Sequence, residues 1–281
     1  MFSIEARAKI NLTLDVLGKR PDGYHEVEMI MQSIALADVL HFSLHDEIVL
    51  ISEVEGVDDC KDNLIYKTAM KLKSLYSVDK GAQITLEKNI PVAAGLAGGS
   101  ADAAATLQGL NKLWNLNLAM DTLCEIGAEL GSDIPFCLRG GTMLAQGRGE
   151  VLSSLPLMPE CYVILAKPNV GVSTAWVYGN YDGTKVNDHP QTKMLIEQLS
   201  KKNFEGVASL LCNVLESVTI KKCNEITELK EKMLEFGAKA SLMSGSGPTV
   251  FGLVNDKEKA EYIARELEKI SSARIIVTRT V

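Results

Sequence analysis

Apolar and polar residues alternate from Ala8 to Leu17, the period of a strand with one buried face, and apolar residues dominate Val27 to Leu36. Shorter strands are predicted at Val39 to Leu44 and Ile48 to Ser52, and Arg20-Pro21-Asp22-Gly23 has the chemistry of a turn. The period then changes. After Asp62-Asn63, which suits a helix cap, Ile65, Ala69, Leu72 and Tyr76 recur at helical spacing to Ser77. A strand over Gln83 to Glu87 leads through Asn89-Ile90-Pro91 into a run of small residues. Beyond it Ala103, Leu107, Leu110 and Trp114 fall on one helix face, which Asn115 to Asn117 ends. Cys124 to Leu130 predicts another helix, and Gly141 to Ala145 and Val151 to Leu155 predict two short strands.

Pro156 to Pro159 is the best boundary, dividing the chain into lobes of residues 1–156 and 157–281. The second lobe starts with the apolar strand Cys161 to Ala166. Helices follow at Ser173 to Tyr178, Thr192 to Leu199 and Cys223 to Phe236, the last stopped by Gly237. The end reads β-β-α-β: Ala240 to Met243, Thr249 to Val254, a helix with Ala260, Ile263, Ala264 and Leu267 inward, and Arg274 to Thr278. Asn187-Asp188-His189-Pro190 reads as a surface loop. There is no internal repeat, and the class is α+β in two lobes.

A length of 281 residues agrees with about two domains. Lys and Arg number 29 against 36 Asp and Glu, and no basic run offsets the net charge of −7, which argues against nucleic-acid binding as the main task. The six cysteines, Cys60, Cys124, Cys137, Cys161, Cys212 and Cys223, include no C-x-x-C pair, so no zinc or redox motif is readable. Met1 to Asn11 lacks the apolar core of a signal peptide, and no window approaches a membrane span of about 20 apolar residues. The expected compartment is the reducing cytoplasm, without a membrane partner.

Chemistry concentrates in a few places. Pro91-Val92-Ala93-Ala94-Gly95-Leu96-Ala97-Gly98-Gly99-Ser100-Ala101 runs directly into a helix. Such a loop can bring backbone N–H groups onto a phosphate at the positive end of the helix dipole, or can simply allow close strand–helix packing. It is neither G-x-x-x-x-G-K-[ST] nor G-x-G-x-x-G. Ser241 to Thr249 is a second small-residue turn, either a hairpin or the other half of a phosphate cradle. Lys9 and Asn11 alternate on one strand face, where a lysine is ordinarily solvated. Asp133, in Gly131-Ser132-Asp133-Ile134-Pro135-Phe136, is either a backbone cap or a functional carboxylate. Tyr24 and His25 follow a turn, where a base or sugar ring could stack. His25-Glu26 does not extend to H-E-x-x-H, and no G-x-S-x-G elbow is present.

These stretches resemble the motifs of the GHMP kinases: Ala8 to Leu12 the first, Pro91 to Ala104 the second and Ser241 to Thr249 the third, in that order over essentially the full length. Arg20 to His25 and Gly131 to Phe136 are similar to the branch acting on 4-diphosphocytidyl-2-C-methyl-D-erythritol. The resemblance implies an N-terminal ribosomal-protein-like lobe and a C-terminal ferredoxin-like lobe. It also implies ATP-dependent phosphorylation of the tertiary 2-hydroxyl in the non-mevalonate route to isoprenoid precursors. Lys9 and Asp133 would be the catalytic pair, Asp133 accepting the hydroxyl proton while Lys9 holds it ionised and offsets charge at the reacting oxygen. Pro91 to Ala101, with Asn63 and Lys88, would bind ATP. Tyr24 and Tyr178 would sandwich the cytosine, His25 would read its edge, and Asn11 would lie near the diol.

Magnesium is expected with ATP, and no tightly bound cofactor. Its protein ligands are not readable, because Gly98 and Gly99 stand where many members carry serines and Ser100 falls one residue later. Ala97 stands where glycine is frequent, which a cradle tolerates if φ stays negative. The partner is thus a small molecule, and the oligomeric state is not specified. Competing readings are a homoserine or mevalonate type of GHMP kinase, a catalytically silent nucleotide-binding protein, and a decarboxylase of the same superfamily. Tyr24, His25 and Tyr178 discriminate against the first, and retention of Lys9 and Asp133 against the second.

Overall fold

The computed structural model describes residues 1–52 and 63–281. Cys60 and Asp62 lie outside the described residues. The chain forms two compact units. The first comprises Met1–Ala8, Leu36–Val92 and Ala97–Gly140, and the second Lys9–Ala35, Ala93–Leu96 and Gly141–Val281. Both are discontinuous, because the long strands β1 (Phe2–Lys19) and β2 (His25–His45) each contribute to both. β2 is one strand where the sequence predicts two. Asp38 interrupts the apolar pattern there, yet it is fully buried, and its Oδ1 accepts from the backbone N–H groups of Asn89 at 2.5 Å and Ile90 at 2.7 Å.

In the first unit β3 (Ile48–Ser52) is followed by α1 (Leu64–Leu75) and β4 (Gly81–Glu87). β4 pairs in parallel with β3 and antiparallel with Val39–His45 of β2. Asn63 caps α1, its side chain accepting from Ile65 N at 2.8 Å, and Ile65, Ala69 and Leu72 are buried as their spacing predicts. α2 (Gly98–Leu113), α3 (Met120–Leu130) and α4 (Ile134–Arg139) complete the unit. α2 buries Ala101, Ala103, Leu107 and Leu110. Asn115 and Asn117, with φ of 53° and 56°, lie in the left-handed region just past its end. The small residues of α2 permit close approach: a Cβ at Gly109 would run into the ring of Phe42, itself fully buried. α4 occupies a stretch that reads as loop, being too short to show a period.

In the second unit β1 and β2 are neighbours across the Arg20–Tyr24 turn. β5 (Thr142–Gln146) pairs antiparallel with Met29–Gln32 of β2, and β6 (Val151–Ser154) with β5. β7 (Tyr162–Lys167), α5 (Thr174–Gly179), α6 (Thr192–Ser200) and α7 (Phe204–Ala208) follow. Then come β8 (Cys212–Asn213), parallel to Thr13-Leu14 of β1, α8 (Glu216–Lys222) and α9 (Glu225–Glu235). β9 (Ala240–Met243), β10 (Val250–Val254), α10 (Lys257–Ile270) and β11 (Arg274–Arg279) end the chain. The four-stranded sheet has the order β11-β7-β10-β9 with every neighbouring pair antiparallel, the ferredoxin-like arrangement. α10 buries Ala260, Ile263, Ala264 and Leu267, the face its spacing predicts. The loop at Asn187–Pro190 is pinned, with His189 Nδ1 2.9 Å from Asp15 Oδ1.

Because Gly109 leaves room for a ring and not for a methyl group, Gly109→Ala is expected to destabilise the chain by about 1–3 kcal/mol, the usual cost of overpacking. Denaturant unfolding measures it, and adding Phe42→Leu should recover part of the loss.

Candidate functional site

Strand alternation places Lys9, Asn11, Thr13 and Asp15 on one face of β1, and all four are buried. Lys9 is only 4% exposed, so the solvated-lysine reading fails. Its ammonium donates to Asn11 Oδ1 at 2.7 Å, and Asn11 Nδ2 lies 3.1 Å from Met29 Sδ. A buried ammonium needs such partners, because losing water without them is costly. Lys9 also holds the glycine-rich loop, its backbone N–H donating to Leu96 O at 3.2 Å.

The neighbouring carbonyls are taken too. Ser244 Oγ donates to Gly95 O at 3.0 Å, and Thr249 N to Ala94 O at 3.4 Å. Across a trans peptide the C=O and the following N–H point in opposite directions. Tying down the carbonyls of residues 94–96 therefore turns the amides of Gly95, Leu96 and Ala97 the other way. Gly95 has φ of 76°, and a Cβ on it would collide with the carbonyl oxygen of Ser244. Ala97 has φ of 58°, so the condition of negative φ under which an alanine fits without strain is not met. That alanine carries left-handed strain of about 1–2 kcal/mol.

The Ser241–Thr249 stretch is more than a hairpin. Asn213, buried in β8, donates from Nδ2 to Met243 O and to Gly245 O, both at 2.8 Å, while its Oδ1 accepts from Leu215 N at 3.0 Å. Glu216 accepts from Met243 N at 2.8 Å. These two side chains hold the turn, and no sequence pattern marks them. Ser246 Oγ meets Thr174 Oγ1 of α5 at 2.9 Å. One turn further along α5, Tyr178 stacks on His25, with ring centroids 5.3 Å apart and planes tilted by 32°. Residues far apart in sequence thus form one aromatic contact. Tyr24 lies instead against the Arg148 guanidinium, 5.1 Å from its ring centre. Burial, with the Lys19 charge adding, holds the His25 imidazole below its ordinary value, so it is neutral at pH 7.

The first unit holds the other candidates. α2 starts at Gly98 after Ala97, which makes no side-chain cap, so the first N–H groups of a 16-residue helix are left for an external acceptor. Lys88 Nζ is bound by Asp38 Oδ2 and, at 2.6 Å, by Asp102 Oδ2, with the ammonium side chain 7% exposed. A Cβ on Gly98 would lie 3.1 Å from that Nζ and 3.0 Å from Ile90 Cγ2, a tight fit in which these neighbours would have to shift slightly. Burial pushes the Asp102 carboxyl up to about 7, Lys88 opposing and the Asp38 charge adding. Sequence reading singled out Lys88 but neither carboxylate. Asp133 stands at the N-cap position of α4, and its side chain makes no cap bond to that helix. Ser100 Oγ lies beside Gly131, so the start of α2 and the start of the Asp133 loop adjoin. Among the described residues no group of three or more His, Cys, Asp or Glu is arranged to hold a metal ion.

Comparison with known proteins matches residues 63–141 to the GHMP kinases N terminal domain and residues 195–272 to the GHMP kinases C terminal domain. The chain is 54% identical over 261 residues to the 4-diphosphocytidyl-2-C-methyl-D-erythritol kinase of Bacillus pumilus, covering 92% of this chain and 90% of that one. It is 50% identical to the enzyme of that name from Geobacillus sp. (strain WCH70), covering 98% and 97%. Among solved structures, a 4-(cytidine 5'-diphospho)-2C-methyl-D-erythritol kinase superposes over the full length of both chains with TM-score 0.84 and 30% identity. A homoserine kinase from Cytophaga hutchinsonii shares the fold, with TM-score 0.76 at 19% identity over 99% and 94% of the two chains.

Removing the ammonium of Lys88 strands two buried carboxylates. Lys88→Ala is therefore expected to cost about 3–5 kcal/mol of unfolding free energy, the scale for breaking a buried pair from one side. A loss below about 1 kcal/mol in denaturant titration would contradict this electrostatic account.

Proposed function

The chain belongs to the GHMP kinase family, and on that footing we propose that it phosphorylates the 2-hydroxyl of 4-diphosphocytidyl-2-C-methyl-D-erythritol with ATP as donor, a step in non-mevalonate isoprenoid precursor biosynthesis. It is a phosphotransferase with an alcohol acceptor. The observation that supports a cytidylated substrate is the contact of His25 with Tyr178, next to Tyr24. Homoserine and mevalonate carry no base for such rings to stack on, although their kinases share the fold.

In this reading Asn63, Lys88 and the loop Pro91 to Ala101 serve ATP. The uncapped amides at the start of α2 and the outward amides of Gly95, Leu96 and Ala97 suit phosphate oxygens. Lys88 acts from within its carboxylate pair. Asp133 accepts the proton of the 2-hydroxyl, and Lys9 offsets negative charge at the reacting oxygen. A carboxylate is too weak a base to deprotonate an alcohol beforehand, so the proton moves late, as the phosphoryl group is transferred. Positioning and electrostatics then supply much of the acceleration. Asn11, fixed by Lys9, orients the diol. Tyr24 and Tyr178 take the two faces of the cytosine. Neutral His25 can both donate to and accept from its edge.

Magnesium enters with ATP as the substrate complex, supplying charge neutralisation on the phosphates, and no protein ligand is assigned to it. The lobes at residues 1–156 and 157–281 and a cytoplasmic location belong to the same proposal. Among the described residues no helix is long and apolar enough to cross a membrane.

The experiment is ADP release with MgATP, comparing the cytidylated substrate with uncytidylated methylerythritol phosphate, homoserine and mevalonate. Turnover is expected only with the first, and Asp133→Asn should lower it by roughly 10²–10⁴. Preference for another alcohol overturns the substrate, and near-normal turnover of Asp133→Asn overturns the assigned base. A second expectation concerns pH. Since His25 titrates below the ordinary 6.5, KM for the cytidylated substrate should stay flat as pH falls through 6.5 and rise only further into acid, as the imidazole gains its charge. KM for ATP should not follow that rise, and a rise centred at or above 6.5 would assign it to another group.

A further inference from the structure

The turn that carries Tyr24 is built against a second turn, Gly147-Arg148-Gly149, between β5 and β6. Val27 N donates to Gly147 O at 2.8 Å, and Gly147 N donates to Glu26 Oε1 at 3.2 Å. The other oxygen of Glu26 takes Arg20 Nη1 at 2.6 Å, and Arg20 N in turn donates to Tyr24 O at 2.8 Å. Asp22 Oδ1 accepts from Tyr24 N at 3.1 Å, closing the backbone on both sides of that residue. Both turns are held in place, while the Tyr24 side chain itself remains largely exposed.

Among the described residues Arg148 restrains that ring. The Arg148 guanidinium lies 5.1 Å from its centre, within the range of a cation–π contact. Arg148 is itself oriented by Glu150, whose Oε2 accepts from Arg148 N at 2.7 Å and whose Oε1 lies 3.4 Å from Nε. The contact uses one face of the phenol and leaves the other. A flat base meeting a ring already held loses less conformational freedom on binding than one meeting a free rotor.

We propose that Arg148 is a specificity-determining positioning residue that holds Tyr24 as a preformed platform for the nucleobase of the substrate. The proposal rests on the base-stacking role given to Tyr24 above. Arg148 touches neither the phosphoryl donor nor the reacting hydroxyl in this account, so its influence falls on KM for the cytidylated substrate alone.

The test uses the full chain and steady-state kinetics for Arg148→Ala, Arg148→Lys and Arg148→Gln. Arg148→Ala and Arg148→Gln should raise KM for the cytidylated substrate about two- to fivefold, the scale of an exposed cation–π contact. KM for ATP and kcat should stay unchanged. Arg148→Lys should restore most of the affinity, because an ammonium can also sit over the ring. In a Tyr24→Leu background Arg148→Ala should add nothing further. An equal rise in both backgrounds, or none in either, overturns the proposal. A substrate-independent readout separates it from the functional assignment: in ring-labelled tyrosine NMR, the order of the Tyr24 ring in the ligand-free protein should fall in Arg148→Ala. Unchanged order overturns the restraint whichever alcohol the enzyme accepts. Failure of the wild type to use the cytidylated substrate overturns the substrate and, with it, the specificity role, even where the ring contact survives.

Discussion

Backbone carbonyls buried within a protein need donors, and in the glycine-rich loop three consecutive ones find them in the same unit. Ala94 is served by Thr249, Gly95 by Ser244 and Leu96 by the backbone of Lys9. The orientation of the loop amides, the left-handed turns at Gly95 and Ala97 and the placement of the Ser244–Thr249 turn all follow from satisfying those oxygens together. Asn213 belongs to the same system, since its amide spends both donors on the turn that supplies Ser244. A loop made of small residues would otherwise have many conformations to lose on folding.

Two lysine side chains lie out of water, and each ammonium keeps hydrogen-bond partners there. Lys9 is held beside a neutral amide, with Asn11 Oδ1 as acceptor. Lys88 faces Asp38 and Asp102, and burial above all, with the Asp38 charge adding and Lys88 opposing, makes Asp102 reluctant to ionise. Asp38 also bonds the backbone at Asn89 and Ile90. That arrangement fixes the chain just before the loop.

Much of the fold was legible because long elements with one buried face must repeat. α10, with Ala260, Ile263, Ala264 and Leu267 inward, and α1, with Asn63 as cap, agree with their patterns. α4, α7, α8 and β8 were not legible, since two to seven residues show no period. β2 reads as two strands because Asp38 resembles a turn residue until its amide partners, some fifty positions away, are known. Of the candidate site residues, the loop and Asp133 stood out by their small or apolar surroundings, and Lys9 stood out only through the motif containing it.

By itself the sequence determined the class, the longer periodic elements and the chemical types of the candidate residues, because periodicity, turn chemistry and the run of small side chains are local properties. Tertiary structure alone decided that Lys9 and Lys88 are buried and that Lys88 meets two carboxylates. It also brought Tyr178 to His25 and Arg148 to Tyr24, and recruited Asn213 and Glu216 to hold a turn. Those outcomes depend on desolvation and on partners distant along the chain, and neither is encoded in the spacing of neighbouring residues.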